Sequence, residues 1–300
     1  MKTRSKNQKG VALVMVLWVL SLMTIMAGSF ALSTQREAAM LRHAHERSRA
    51  LALAEGAVYY AMLMLSLPDQ KMQWQADGRP YFWDGKGTQV LVRVQDEGGK
   101  VDINMAQENT LKTVFKLLGM GDEQQTQLAE TIMDWRDQDD LKRGNGAESS
   151  EYLARGLQTT PQNRQFLVMD EVQGVLGVGP DLYRKMQTWF TLYSNVDGLD
   201  PAKASPDILT ALLGGDRGAV AAIIQQRQQG APVVVPPYPG LNYSQSSAAS
   251  YSVTAEVLID EDQHFGIVAN IRRGATSNAL PFTILRWRTY HRPSHSASEL

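Results

Sequence analysis

Residues 11–32 (VALVMVLWVLSLMTIMAGSFAL) hold 22 positions without a charge. As a helix this stretch is about 33 Å long, enough to cross a bilayer core. No proline or glycine breaks the chain between Ser29 and Gly56. Over residues 33–67 the small or apolar residues Leu41, Ala44, Ser48, Leu51, Ala54, Val58, Met62 and Leu65 recur at steps of three and four. That spacing predicts an amphipathic helix continuing the apolar one. Pro68-Asp69 ends it. Residues 88–104 alternate around Glu97-Gly98-Gly99, which predicts a strand, a tight turn and a short strand. Residues 250–260, 264–273 and 280–290 alternate again, with turns at Glu261-Asp262 and Gly274–Asn278, and predict an antiparallel meander. The tail, 291–300, is expected to fray.

Between the strand regions the pattern changes. Residues 105–230 read as helical and carry a weak internal repeat. Residues 104–136 and 199–227 each read helix, glycine turn, helix. Leu117-Leu118-Gly119 matches Leu212-Leu213-Gly214, and Ile132 and Arg136 match Ile223 and Arg227 after a four-residue deletion. Between the units, Asp170–Gly179 predicts another helix and glycine-rich turn, followed by a helix through Phe190. Residues 69–87 are turn-rich, with Trp74, Tyr81, Phe82 and Trp83. Base rates favour aromatics that cap a small core over an interface. Residues 231–249 are rich in proline and serine and read as a linker or loop. The order is long helix, strands, helical block, strands. It predicts an α+β fold in which residues 68–104 and 250–290 form one antiparallel-sheet domain that receives a helical insertion, 105–230.

Composition excludes some chemistry. The chain of 300 residues is 43% hydrophobic and 20% charged, so most of it should fold. It has no cysteine, which removes disulfides, thiol catalysis and Cys-ligated metal sites. The net charge is −1, so no global field favours nucleic acid. Lys2, Arg4, Lys6 and Lys9 precede the apolar stretch with no acid among them. The positive-inside rule then puts the N-terminus in the cytoplasm and the bulk across the membrane. Without those four charges the remainder carries −5 instead of −1.

Three readings of the N-terminus compete. The apolar stretch is too long for a cleaved secretory signal, although Ser29-Phe30-Ala31 could be cut. A plain anchor fits the length. In the third reading, residues 1–10 are a prepilin leader ending at Gly10, with the apolar segment beginning at Val11. A greasy helix that continues without a linker into an amphipathic one is the build of a pilin subunit and favours the third.

With these features together, the chain resembles the minor pseudopilin K family of bacterial type II secretion systems. The likeness rests on the leader to Gly10, the apolar helix, Asp96-Glu97-Gly98-Gly99-Lys100-Val101-Asp102-Ile103-Asn104, Ile132-Met133-Asp134-Trp135-Arg136-Asp137, and Asn163-Arg164 followed by Asp170-Glu171-Val172. It covers nearly the whole chain. The resemblance implies a pilin-like fold in which the long helix packs on an antiparallel sheet, with a large all-helical insertion. It implies cleavage after Gly10 by prepilin peptidase and N-methylation of Val11. It places the protein at the tip of a periplasmic pseudopilus with minor pseudopilins I and J and other pseudopilins, on an inner-membrane secretion platform. Most pilin-type chains carry glutamate at the fifth mature position; here it is Met15, as in the K family.

Residues 134–151 (DWRDQDDLKRGNGAESSE) concentrate chemistry. Six acids surround Gly144-Asn145-Gly146. Calcium takes six to eight oxygens on a flexible loop. The spacing is not that of an EF-hand, and a solvated acidic loop beside Lys142 and Arg143 explains the residues equally well. The resemblance implies calcium, with Asp137, Asp139, Asp140, Glu148 and Glu151 as the expected ligands. Ala27, Gly28, Ser29 and Ala31 would let neighbouring helices approach closely, or simply face lipid. Val175-Leu176-Gly177-Val178-Gly179-Pro180 is similar to a helix-hairpin-helix turn, so the rival function is DNA capture by a competence pilus protein. Asp170, Glu171 and Asp181 flank it, which argues against a phosphate partner. His43, His45, His264, His291 and His295 form no nucleophile–base set, and no catalytic site is expected.

Overall fold

The computed structural model describes residues 9–69, 71–85, 87–245, 249–259, 263–274 and 281–293. The expected leader up to residue 8, the turn at Glu261-Asp262, the expected turn at Gly274–Asn278 apart from Gly274, and the tail beyond Pro293 lie outside the described residues. The chain divides into two compact units, Met1–Ala52 and Leu53–Leu300.

Helix α1 is Lys9–Ser66. Within the first unit its apolar residues from Leu13 to Leu32 face outward, Trp18 being 75% exposed. Hydroxyls along it donate back to the helix, Thr24 Oγ1 to the Leu20 carbonyl at 2.7 Å and Thr34 Oγ1 to that of Phe30 at 3.1 Å. This satisfies the hydroxyls within the helix itself. Of the expected stripe, Ala54, Val58 and Leu65 are buried and Leu51 and Met62 half-buried, whereas Leu41, Ala44 and Ser48 are exposed; Ala57 and Ala61, outside that stripe, are buried as well.

In the second unit a five-stranded sheet has the order β1-β2-β5-β6-β7, antiparallel throughout. The strands are β1, Asp77–Gly85, β2, Thr88–Asp96, β5, Ser250–Ile259, β6, Gln263–Arg273, and β7, Phe282–Pro293. One face buries Val90, Val92, Val94, Val253, Ala255, Val257, Ile267 and Ala269 against α1 residues from Leu53 onward. Gly56 lets the Trp83 ring close on the helix, since a Cβ there would lie 3.2 Å from it. Tyr60 packs on Trp83 and Trp74, and Tyr59 on Trp287.

The stretch 69–87 is not only turns, since it holds β1. Gly78, Pro80 and Gly85 disguise it, and proline is tolerated because β1 is an edge. Its aromatics cap the core, apart from Phe82, which is 66% exposed. The expected hairpin around Glu97-Gly98-Gly99 does not form. A 3₁₀ turn at Glu97–Gly99 leads into β3, Val101–Asp102, which pairs in parallel with β4, Phe190–Thr191. Gly99 is packed so closely on the Lys203 backbone that a Cβ would lie 2.3 Å from its carbonyl oxygen, and this contact redirects the chain. Residues 291–293, expected in the tail, complete β7.

Strands β2 and β5 are direct neighbours, and Asp96 pairs with Tyr251. Everything from Glu97 to Ala249 therefore leaves and re-enters the sheet at one point. This stretch holds α2, Glu108–Leu117, α3, Asp122–Arg136, α4, Ser149–Ala154, α5, Pro180–Trp189, α6, Pro206–Leu212, and α7, Arg217–Gln228. The first helix expected near Asp170 is a 3₁₀ helix, Met169–Gly174. Residues 231–245 are a packed strap. Val235 and Leu241 are buried, and Thr113 Oγ1 donates to the Gly240 carbonyl at 3.0 Å.

The repeat is real in three dimensions. Gln107 and Ser205 stand at the N-cap positions of the first helices, Ser205 accepting from the Ile208 amide, and Gly119 and Gly214 turn them with φ of 87° and 62°. Asp102 Oδ1 accepts from the Asn104 amide and Asp200 Oδ1 from that of Ala202, both at 2.9 Å. Arg136 donates to the carbonyls of Ile103 and Ala106, and Arg227 to those of Pro201 and Ala204. In each unit a guanidinium at the end of the second helix satisfies two carbonyls ahead of the first.

Candidate functional site

The acidic segment begins where α3 ends. Trp135 anchors it: the ring is 1% exposed, stacks on Phe166 at 6.0 Å and tilts on Tyr152 at 5.8 Å. Asp134, on the last turn of α3, is fully buried. It accepts from Arg143 Nη1 at 2.6 Å and from the Arg143 amide at 3.2 Å. Gly146 allows this fold-back, since a Cβ there would lie 1.9 Å from Asp134 Oδ2. One turn earlier, Glu130 accepts from the Asn145 amide and from Asn145 Nδ2 at 3.2 Å. Glu130 and Asp134 therefore shape the loop. Burial pushes the Asp134 carboxyl up, against the pull of Arg143.

The five expected ligands separate into different roles. Glu151 is spent on structure. Its Oε2 accepts from the Glu148 amide at 3.0 Å, a capping box for α4, and its Oε1 meets Lys142 Nζ at 3.0 Å. The Lys142 contact holds its carboxyl down at about 2. Asp139 is exposed and accepts from the Leu141 amide at 2.9 Å. Asp140 is exposed and accepts from Asn163 Nδ2 at 2.7 Å. Asp137 pairs through Oδ2 with Arg143, but its Oδ1 is buried without a partner. Glu148 is 5% exposed, and both its carboxylate oxygens lack partners. Burial, then the charges of Asp134, Asp137, Asp140 and Asp139, push its carboxyl up to about 7.

Sequence reasoning missed Asn163 as a site residue. Its Oδ1 is also buried and unpartnered, while its amide nitrogen ties it to Asp140. Its backbone is left-handed, φ 50°, a conformation asparagine tolerates better than most residues. Among the described residues no three of His, Asp and Glu gather into a metal-holding group. Instead, unpaired oxygens of two carboxylates and one amide occur in the segment and in the residue tied to it. Unpaired buried acceptors are costly unless something supplies positive charge. A hard, oxygen-seeking cation fits this donor set better than a transition metal does.

The helix-hairpin-helix-like turn is used internally. Gly177 has φ of 95°, and the Leu176 amide donates to Tyr152 Oη at 2.9 Å. Asp170 accepts from Tyr183 Oη at 2.6 Å and from Arg286 of β7 at 2.5 Å, tying this segment to the sheet.

At the other end, α1 is the one helix among the described residues long and apolar enough to span a membrane, with mean hydropathy 2.2 in its most apolar window. Gly10 and Val11 lie within α1, and Ala27, Gly28, Ser29 and Ala31 are exposed on it. A Cβ on Gly28 would meet nothing within 4 Å.

Residues 90–195 match the family model described as type II secretion system (T2SS), protein K. A type II secretion system protein K of Pectobacterium carotovorum subsp. carotovorum is 30% identical over 209 residues, covering 60% of this chain and 61% of the relative. The protein K of Pseudomonas aeruginosa is 25% identical over 246 residues, 74% of this chain and 73% of the relative. A chain in the crystal structure of the GspK–GspI–GspJ complex from enterotoxigenic Escherichia coli has the same fold. Its TM-score is 0.59 at 19% identity, over 83% of this chain and 98% of that one. The resemblance drawn from the sequence and the α+β fold expected with it are borne out.

Proposed function

We propose that this chain, a member of the type II secretion system protein K family through its residues 90–195, serves as a minor pseudopilin and takes part in protein export. The observation that carries this reading is the protein K domain itself. The continuous helix α1 supports it, because an apolar belt running directly into the folded part is what packing among pilin-type helices needs. The role is structural. The chain sits in the inner membrane by the apolar part of α1, with the N-terminus cytoplasmic and the bulk in the periplasm. Pseudopilins I and J are its partners at the pseudopilus tip, where the subunit helps to initiate the fibre. Prepilin peptidase cuts after Gly10 and Val11 is N-methylated. Met15 brings no carboxylate into the bilayer, which avoids about 2.5–3.5 kcal/mol of insertion cost.

Calcium is the cation proposed for the acidic segment. Asp137, Glu148 and Asn163 would hold it through their unpaired oxygens, with Asp140 beside them. It would supply charge that fixes the segment beyond α3. Asp139 is left to the Asx turn and Glu151 to the cap.

Intact-mass and N-terminal analysis of the membrane-extracted chain, with and without prepilin peptidase, tests the pilin-type reading. A start at methylated Val11 only when the peptidase is present is the expected result. A start at Met1 in both samples would mean a static anchor and end it.

A further inference from the structure

The face of the sheet turned away from α1 is not a uniform polar surface. The register puts Arg93, Thr254, Val268 and Arg288 in one row across β2, β5, β6 and β7. The next row carries Leu91, Glu256, Gly266 and Tyr290, and the row beyond it Leu258, His264 and Arg292. All of them except Leu258 and Gly266 line an open basin of about 890 Å³. The Tyr290 ring lies flat over Gly266, where a Cβ would come within 2.4 Å of it.

The basin's charge is unbalanced. Glu256, the one acid lining it among the described residues, is 7% exposed and already engaged by His264 Nδ1 at 2.8 Å and Arg292 at 3.1 Å. Arg288 comes only to 4.0 Å from Asp170, which Arg286 holds at 2.5 Å. Among the described residues Arg93 has no carboxylate within ion-pair distance. Arg93, Arg288 and Arg292 all act electrostatically on the Tyr290 phenol, which burial and Glu256 nevertheless push up to about 12. Excess positive charge thus collects here, on a chain whose net charge is −1.

Spacing identifies the ligand class. Arg288 and Arg292 are four residues apart on β7, about 13 Å. Arg93 and Arg288 are three strand spacings apart in one row, about 14 Å. Carboxylates four residues apart on an extended chain recur at the same interval. A single phosphate is too small to bridge these anchors, and a flat bilayer does not enter a recess. Guanidinium forks bind carboxylates bidentately.

We propose that this basin is a docking site for an extended acidic segment of a partner polypeptide, bridged by Arg93, Arg288 and Arg292 over the Tyr290 ring. The proposal goes beyond the pseudopilin role and does not depend on calcium.

The experiment uses the full chain in detergent micelles and a fluorescein-labelled peptide repeating Glu-Ser-Gly-Ser, with a Lys-Ser-Gly-Ser twin. Anisotropy should report saturable binding of the acidic peptide and none of the basic one. Arg93→Gln with Arg288→Gln should weaken binding by about tenfold or more. Arg217→Gln with Lys116→Gln, the same loss of two charges at exposed positions on α7 and α2, should leave it unchanged. Val268→Glu sets an acid between the two arginines at a half-buried position and should produce the same loss even where the arginine variants fold poorly. Equal weakening by Arg217→Gln with Lys116→Gln would reduce the effect to net charge and overturn the proposal. So would binding untouched by Val268→Glu, or a preference for phosphatidylglycerol vesicles over the peptide.

Discussion

The two helix–glycine–helix units share one scheme and diverge where the second helix ends. Both begin with an aspartate that caps its own turn, both turn at a left-handed glycine, and both close with an arginine on two carbonyls. At the four-residue offset, Glu130, Asp134 and Asp137 of the first unit fall at Ala221, Gln225 and Gln228 of the second. The second unit folds without these acids. The scaffold therefore does not require them, and they serve the segment beyond α3. Glu130 and Asp134 shape the loop, and Asp137, with Glu148 and Asn163, leaves oxygens unpaired. After α7 the chain runs instead into the strap that packs on Thr113.

The shared arginine is the largest lever on this comparison. Arg136→Ala and Arg227→Ala each leave two carbonyls without their donor, and each should destabilise the chain by about 2–4 kcal/mol in chemical denaturation. Burial lowers both guanidinium pKa values, Arg136 to about 10, so neither side chain is a mere surface charge. A large loss at one and none at the other would show that the units are only superficially alike.

Calcium comes next and should separate the units. Saturating calcium, at about a hundredfold over its dissociation constant, should stabilise the chain by roughly 2.7 kcal/mol. Glu148→Gln and Asp137→Asn should abolish that gain, whereas Gln225→Ala and Gln228→Ala should keep it. Calorimetry showing the same gain in all four variants would remove the acidic segment from the account.

A smaller effect is pH dependence without calcium. The Glu148 carboxyl titrates at about 7 in the folded chain, against an ordinary value of 4.5 when unfolded. Between these values the folded state holds the extra proton, so this contribution to stability is best below 4.5 and declines as pH rises through 7. Melting in the presence of a chelator should show that decline, and Glu148→Gln should flatten it. The smallest effect tests the shared turn. Gly119→Ala and Gly214→Ala meet open space, so only the backbone conformation opposes them. Each should cost about 1 kcal/mol in the same denaturation assay, with no large difference between the two.

Much of this was legible in the sequence because it rests on spacing. Steps of three and four marked α1, alternation marked β2, β5, β6 and β7, and the glycines flanked by leucines marked both helical units. Strand β1 was hidden because Gly78, Pro80 and Gly85 interrupt its alternation, and β4 because two residues carry no period. The parallel pairing of β3 could not be read locally, since its partner lies almost ninety residues away. In the acidic segment the residue types were visible but not their division of labour. Glu151 looks like a ligand by composition, yet it sits three residues after Glu148 at the start of α4, where a capping box uses it. Asn163 stood out only as part of the Asn163-Arg164 motif of the resemblance, with no role attached, and its place beside Asp140 comes from tertiary folding.

Assembly is the most direct test of the central claim. The full chain should be co-expressed with the I and J pseudopilins of the same secretion system, extracted in detergent and weighed intact by native mass spectrometry. The account predicts a complex that contains all three chains, with this one beginning at methylated Val11. The chain alone, beside an I–J complex that forms without it, would contradict the minor pseudopilin assignment.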